Sequence, residues 1–349
     1  MKAALFVFAF LILAGCFVWP EGWDRADNLR LRYSPSGQIS LGSTNGISLY
    51  DQNLIQTGSF GGIRCYHMDD FIWLTQSSVI SAYEKSGQCN GSGFYIISWD
   101  NRIAARNITL PPPDAGPAGY NPVLSVSNDS KFIALTYENY NYSQEQSFGG
   151  FYLISTDNLS VISNVQTSGY PKTHFSPDGK YLGVLIPFTA ISIYSIPGEI
   201  LKNNFSTVGA EDFGWLNDTD MLLLENSRIV SVDPFNQSDL GKLRYDVNCN
   251  QLVGYYCSLN QIEVSPNGRY VAVGGSYAVN EDSCHVAPGG VYPCSEGFIA
   301  VVDLEKNATV FWNQGGQAHD NSAVFDWSPD GNELAYTFDG SIFKQKISG

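Results

Sequence analysis

Residues 325–349 read FDWSPDGNELAYTFDGSIFKQKISG. Three runs in this stretch alternate apolar and polar side chains: the run ending in FDWS, then ELAYTF, then SIFKQKI. A period of two is the mark of a half-buried strand. Ser-Pro-Asp-Gly separates the first two runs. Proline presets φ, aspartate tolerates the left-handed region and glycine occupies it without strain, so the chain reverses there in a tight turn. The stretch therefore reads as a three-strand antiparallel meander.

It decides the fold because it recurs. The second position of the turn returns at Pro35, Thr75, Asn128, Pro177, Asn217, Pro266 and Pro329, spaced by 40, 53, 49, 40, 49 and 63 residues. Seven units follow, with a floor of forty residues and insertions of variable length. Each has a first strand, the turn, a returning strand such as YLGVLI or YVAVGG, and a third such as ISIYSI or RIVSVD. A weaker fourth follows, as in SVISNV, ATVFWN or RIAARNITL. No helical period stands out over eleven residues or more. Four short strands per unit at this period predict an all-β, seven-bladed β-propeller of four-stranded antiparallel blades.

SPDG followed by an apolar strand resembles the repeats of the WD40-like and TolB-type propellers. The last unit, with His319 ahead of its first strand, resembles a WD40 repeat, and there the resemblance implies a structural role for that histidine. The likeness covers residues from about 30 to the end. TQSS and LNDT depart from the turn pattern in the second and fifth units. Propellers host binding, scaffolding and enzymatic roles alike, so the resemblance speaks to fold.

The last unit supplies three strands. The segment FVWPEGWDRADN, residues 17–28, precedes the first unit, and it is expected to cross over as the outer strand of the last blade. Trp19 and Trp23 would then pack at that seam.

The two faces of such a ring differ here. If the blade strands are lettered A to D from the axis outward, the A–B and C–D turns lie on one face and are short. The B–C and D–A connections lie on the other and carry the insertions: SGQCNGSG, ENYNYSQEQSFGG, SYAVNEDSCHVAPGGVYPCSEG, GSFGGIRCYH, PPPDAGPAGYN, RYDVNCNQLVGYYCSLN and WNQGGQAHDN. Long connections in a compact domain usually carry function. Candidate binding residues on this loop face are Tyr66, His67, Tyr120, Tyr140, Tyr142, Phe148, Tyr255, Tyr256, Tyr277, His285 and Tyr292, with about half of the tyrosines expected to pack the loops down. Exposed tyrosine offers contact area at little entropic cost.

Compartment signals agree with one another. MKAALFVFAFLILAGC reads as a signal peptide over residues 1–16, too short for a comfortable membrane span. LAGC resembles a lipobox, which would make Cys16 a lipidation site and tether the chain to a membrane. The single propeller domain then runs over residues 17–349. Six cysteines remain: Cys65, Cys89, Cys249, Cys257, Cys284 and Cys294. They allow fifteen pairings. Proximity favours Cys249–Cys257 and Cys284–Cys294, leaving Cys65–Cys89, as structural disulfides of an oxidising compartment. No CxxC or CxxH spacing points to a metal. Asn-x-Ser/Thr occurs at Asn90, Asn107, Asn128, Asn141, Asn158, Asn204, Asn217, Asn236 and Asn307, against roughly four expected by chance. Six of them (Asn128, Asn158, Asn204, Asn217, Asn236 and Asn307) map to the A–B and C–D turns, so glycans would shield the turn face and leave the loop face open.

The net charge is -15. An acidic surface repels phosphate backbones and excludes nucleic acid as a partner. No catalytic constellation, cofactor motif or metal-ligand spacing is present, and an enzyme is the less favoured reading. His174 and His319 are expected to be structural. The sequence points to an exported propeller, secreted or surface-anchored, that binds a protein partner or a surface glycan through its loops. The alternative is a lactonase-like or other hydrolase with an axial pocket, for which His67 and His285 would have to meet carboxylates.

Overall fold

The protein was analysed as a computed structural model, which describes residues 29–63, 66–85, 94–110, 122–141, 146–198, 200–207, 209–236, 241–247, 257–278, 295–317, 324–338 and 341–347. All described regular structure is β. Six four-stranded antiparallel sheets and one three-stranded sheet make seven blades in a ring. Blade 1 is β1 (Arg30–Tyr33), β2 (Ile39–Ser43), β3 (Gly46–Tyr50) and β4 (Gln56–Phe60). Blade 2 is β5 (Tyr66–Trp73), β6 (Ser78–Lys85), β7 (Phe94–Asp100) and β8 (Ile103–Leu110). Blade 3 is β9 (Val123–Val126), β10 (Phe132–Asn141), β11 (Gln146–Ser155) and β12 (Val161–Thr167). Blade 4 is β13 (Lys172–Phe175), β14 (Tyr181–Ile186), β15 (Ala190–Ser195) and β16 (Ile200–Ser206). Blade 5 is β17 (Ala210–Trp215), β18 (Met221–Glu225), β19 (Arg228–Val232) and β20 (Lys242–Asp246). Blade 6 is β21 (Cys257–Val264), β22 (Tyr270–Ala278), β23 (Ser295–Asp303) and β24 (Ala308–Gln317). Blade 7 is β25 (Val324–Trp327), β26 (Glu333–Phe338) and β27 (Ser341–Lys346). The seven turns expected from the sequence all join first to second strands, including the divergent ones at Thr75 and Asn217. Residues 17–28 lie outside the described residues, so the expected crossover strand does too.

The turn chemistry is visible atom by atom. In blades 3, 4, 6 and 7 the serine hydroxyl of the motif bonds the Asp or Asn two residues on: Ser127–Asp129, Ser176–Asp178, Ser265–Asn267 and Ser328–Asp330, all at 2.7–2.8 Å. The same hydroxyl accepts the backbone N–H five residues on, from Phe132, Tyr181, Tyr270 and Glu333. These serines are buried, which makes them hinge pins of the turn rather than solvent groups.

The core is divided into seven apolar clusters, one for each blade-to-blade seam. The seam of blades 2 and 3 buries Ile80, Phe94, Leu124 and Ile133, among others. Among the described residues, the closing seam of blades 7 and 1 has four buried members, Leu31, Tyr33, Ile39 and Ala335. The seam of blades 3 and 4 also has four, Ala134, Phe151, Leu182 and Val184.

Polar staples reinforce these seams from the inner strands of blades 2, 5 and 7. In each, an aspartate reaches forward and accepts a backbone N–H of the next inner strand: Asp70 from Leu124, Asp212 from Ile262 and Asp326 from Tyr33. In each, a tryptophan near the turn reaches backward: Trp73 to Ser40 Oγ, Trp215 to the His174 carbonyl and Trp327 to the Glu263 carbonyl. Three blades thereby tie six of the seven seams. The seam of blades 3 and 4 has instead a hydroxyl pair, Ser125 and Thr173 at 3.0 Å, and the Asn128 amide donating to the Pro177 carbonyl at 2.9 Å.

A charged channel on the propeller axis

The inner strands run from the loop face to the turn face. Alternation would give each strand one side chain in two toward a given neighbour. Three inner strands break that rule with a bulge. In β5, β17 and β21 the pairing register skips Asp69, Glu211 and Asn260 respectively. A bulge re-aims side chains and is favoured beside functional sites. Here each one adds a polar residue to an inner strand.

The result is a set of charged groups that interact across the ring. Arg32 of blade 1 feels Asp70, Asp326 and Glu263 of blades 2, 7 and 6. His174 of blade 4 feels Asp212 and Lys172, and also Arg32 of blade 1. Blades 1 and 4 are not neighbours, so these groups meet over the axis. The side chain of His174 is 39% exposed. Yet desolvation is the largest influence on it and lowers its pKa. A side chain reached by solvent yet strongly desolvated fits the narrow central channel of a propeller.

Three levels can be followed down this channel. At the loop-face mouth stand Arg30, Lys172, Glu211 and Tyr170. Tyr170 is pushed up to about 12 by burial, and it lies within reach of Arg30, Asp70 and Glu138. At the middle level Arg30 Nε and Arg32 Nη2 approach Asp70 Oδ1 at 3.7 and 3.5 Å. Both Asp70 oxygens also accept backbone N–H groups, from Phe71 and Leu124. The carboxylate is therefore fully used, while Arg32 Nε has no acceptor among the described residues. Across the channel, Lys172 Nζ donates to the Asn260 carbonyl at 2.7 Å and lies 3.6 Å from Asp212 Oδ2. His174 Nε2 is 3.9 Å from Asp212 Oδ1, too far for a hydrogen bond. Toward the turn face, Glu263 and Asp326 repel each other. Burial first, then this repulsion, holds Glu263 well above the usual carboxylate range. Burial also pushes Asp326 up to about 6, against the pull of Arg32. Beside the channel Asp69 is pushed up to about 8 by burial and then by Glu84.

The sequence-predicted site residues fall as follows. Tyr66 and His67 begin β5 on the loop face. Tyr66 is half-buried and stacks on Tyr95, and His67 is exposed across the ladder from Glu84. Tyr277 is 4% exposed; its ring lies in the core of the seam of blades 5 and 6 and its hydroxyl donates to Glu296, so it is a packing residue. The expected loop 138–150 is mostly ladder, because β10 and β11 pair as far as Asn141 and Gln146. Tyr140 and Phe148 are thus strand residues, and Phe148 is half-buried. Cys257 begins β21. Tyr120, Tyr142, Tyr255, Tyr256, His285, Tyr292 and His319 lie outside the described residues, as do Cys16, Cys65, Cys89, Cys249, Cys284, Cys294 and Asn90. Asn204 stands in the outer strand β16 rather than in a turn. Asn107, Asn128, Asn158, Asn204, Asn217, Asn236 and Asn307 are all exposed. Asn141 ends β10. Among the described residues no cluster of three His, Cys, Asp or Glu has the arrangement of a metal site.

Two functional candidates escaped the sequence. His174 faces the channel, although its strand reads as ordinary. Phe188, in the B–C connection of blade 4, is 60% exposed on the loop face with φ of 58°. A bulky residue in the left-handed region is an outlier that costs energy. A hydrogen bond from Phe188 N to the Ala210 carbonyl at 2.8 Å holds it there.

The class defined by this architecture is the seven-bladed β-propeller, and solved structures of low sequence identity share its fold. The Cps50 (Swd1) β-propeller domain of Myceliophteria thermophila superposes with a TM-score of 0.59 at 13% identity, covering 94% of this chain and 98% of that one. A chain of a mitotic checkpoint complex superposes with a TM-score of 0.60 at 11% identity, covering 95% and 93%. No protein-family model and no curated protein matches the sequence.

Proposed function

We propose that this propeller is a protein-binding module that docks its partner on the loop face. The observation that carries the reading is Phe188. A large apolar side chain is held outward, in a conformation that costs energy, on the face that gathers the long connections. Aromatic anchors of this kind dominate binding energy at interfaces. The fold shared with a chain of a checkpoint assembly supports a partner-binding role by analogy. Tyr142, Tyr256 and Tyr292 extend the apolar character of the same set of connections in the sequence. The signal-like residues 1–16 and the cysteine and sequon pattern support export, with Cys16 as the anchor to a membrane surface and the loop cysteines in disulfides. Among the described residues no helix is long and apolar enough to cross a membrane.

The test is a crosslinking capture from the host's surface fraction. Wild type is compared with Phe188→Ala, with a variant changing Tyr142, Tyr256 and Tyr292 to Ala, and with a turn-face variant, Lys131→Ala. All must melt alike. One protein captured by wild type and Lys131→Ala, and lost by the loop-face variants, is the expected result. Equal capture by all four sinks the reading.

A further inference from the structure

The seam of blades 5 and 6 leaves three acceptor-type oxygens on the inner strands without a donor among the described residues: Asp212 Oδ1, Asn260 Oδ1 and Glu263 Oε2. Asp212 is 4% exposed. A buried polar group without a partner is costly and asks for an occupant. The staple already uses Asp212 Oδ2, which accepts the Ile262 N–H at 3.0 Å. Its other oxygen is left toward His174 across a 3.9 Å gap. Asn260 owes its position to the β21 bulge.

The charges around this point decide what fits. Lys172 beside Asp212 offsets the carboxylate. A cationic ligand would meet Lys172 and, across the channel, Arg32. An anionic one would meet Asp212 and Asp70. Burial lowers the pKa of His174 and raises that of Glu263, which favours the neutral form of each, and a neutral imidazole or carboxyl can donate as well as accept. The set thus offers both donors and acceptors around nearly balanced charge. A hydroxyl group, donor and acceptor at once, is the chemical match. The imidazole of His174 is fixed edge-on to Phe213 at 4.9 Å and 89°, which gives the channel wall one rigid ring face.

We propose that the axial channel where blades 4, 5 and 6 meet is a binding site for a small neutral ligand bearing several hydroxyl groups, held by Asp212, Asn260, Lys172 and His174. This site is separate from the loop-face docking of a protein partner, and either stands without the other.

The experiment is saturation-transfer NMR on the full chain made without N-glycans. The probes are free glucose, galactose, mannose and N-acetylglucosamine, with sulfate and arginine as charged probes. Asp212→Asn keeps the shape and the Ile262 contact, and Asn260→Ala removes a group that ties no seam. Phe188→Ala serves as the loop-face control. At least one sugar is expected to bind wild type and Phe188→Ala equally. Loss of one charged hydrogen bond weakens binding by about tenfold or more, which is the shift expected for Asp212→Asn. Asn260→Ala should weaken it too. The proposal is overturned if no sugar binds, as in a channel that holds only water. It is equally overturned if sugar binding survives both channel variants unchanged, or if sulfate or arginine binds where sugars do not. Failure of the capture experiment with Phe188→Ala leaves these readouts untouched.

Discussion

The carboxylate of Asp326, on the last blade, accepts the backbone N–H of Tyr33, on the first, at 2.5 Å. Tyr33 returns the contact by donating its hydroxyl to Glu333 at 2.7 Å. Two hydrogen bonds thus join residues about three hundred positions apart, at a seam whose apolar cluster is among the smallest in the ring. Asp326→Ala should cost about 2–3 kcal/mol, the range for removing a charged partner from buried donors. Asp326→Asn should cost less, since the amide oxygen still accepts. Urea unfolding with an unchanged slope measures both, and equal stability of Asp326→Ala and wild type would refute the role.

Stability should fall as pH rises from about 5 to 8. Asp69, near 8, and Asp326, near 6, with Glu263 also raised, keep protons in the folded state that unfolded carboxyls release near 4. Folding therefore takes up protons in that window, and each group tilts stability downward with pH by about 1.4 kcal/mol per unit until its folded pKa is passed, near 6 for Asp326 and near 8 for Asp69. His174 acts oppositely, because the unfolded imidazole gains a proton below about 6.5 that the folded one resists. Three carboxyls outweigh one imidazole. Melting temperatures at pH 5, 6, 7 and 8 should decline across the series, less steeply in Asp69→Asn. A flat or rising series contradicts the assignment.

Gly183→Ala should destabilise through overpacking. A Cβ at Gly183 would stand 2.7 Å from the ring of Phe213 on the next blade. That ring is fully buried beside the Asp212 staple and has no room to retreat. A loss of about 1–3 kcal/mol is expected by chemical denaturation. The double variant Gly183→Ala, Phe213→Leu should recover part of it, and no recovery would place the strain elsewhere.

Ser176→Ala tests the turn pin. Its hydroxyl bonds Asp178 and the Tyr181 N–H and is buried. Removing it leaves the Tyr181 donor unmet, at about 1–3 kcal/mol. Ser36→Ala, at an exposed turn position, should cost under about 0.5 kcal/mol. Similar values for the two would argue against the pin.

The seven blades were legible because Ser-Pro-Asp-Gly is a local signal: one turn, one set of dihedral angles, strands on both sides. The handedness of the faces followed from strand order alone. The channel was not legible. Arg32, His174, Asp212 and Glu263 lie on four different blades, and each looks like an ordinary polar position in an alternating strand. The bulges at Asp69, Glu211 and Asn260 that add polar residues to the inner strands leave no mark in the sequence, because a skipped pair is a property of two strands. Tyr277 was misjudged for a related reason. Its neighbours in sequence are loop-like, but the long β22–β23 ladder carries it into the core. One trace of the staples does stand in the sequence: DFIW, DFGW and FDW put an aspartate and a tryptophan together in the three blades that use them.

The stapled blades are 2, 5 and 7, and that spacing has a mechanical consequence. A closed ring pulled apart fails where its joints are weakest, and the chain termini are the natural suspect. Here the joint between blades 7 and 1 is tied by Asp326 and Tyr33, whereas the joint between blades 3 and 4 lacks the aspartate and tryptophan staples and is held, among the described residues, by four buried apolar residues, a pair of hydroxyls and the Asn128 amide on the Pro177 carbonyl. Under load the protein would behave as a snap ring whose gap lies far from its ends, in the middle of the polypeptide.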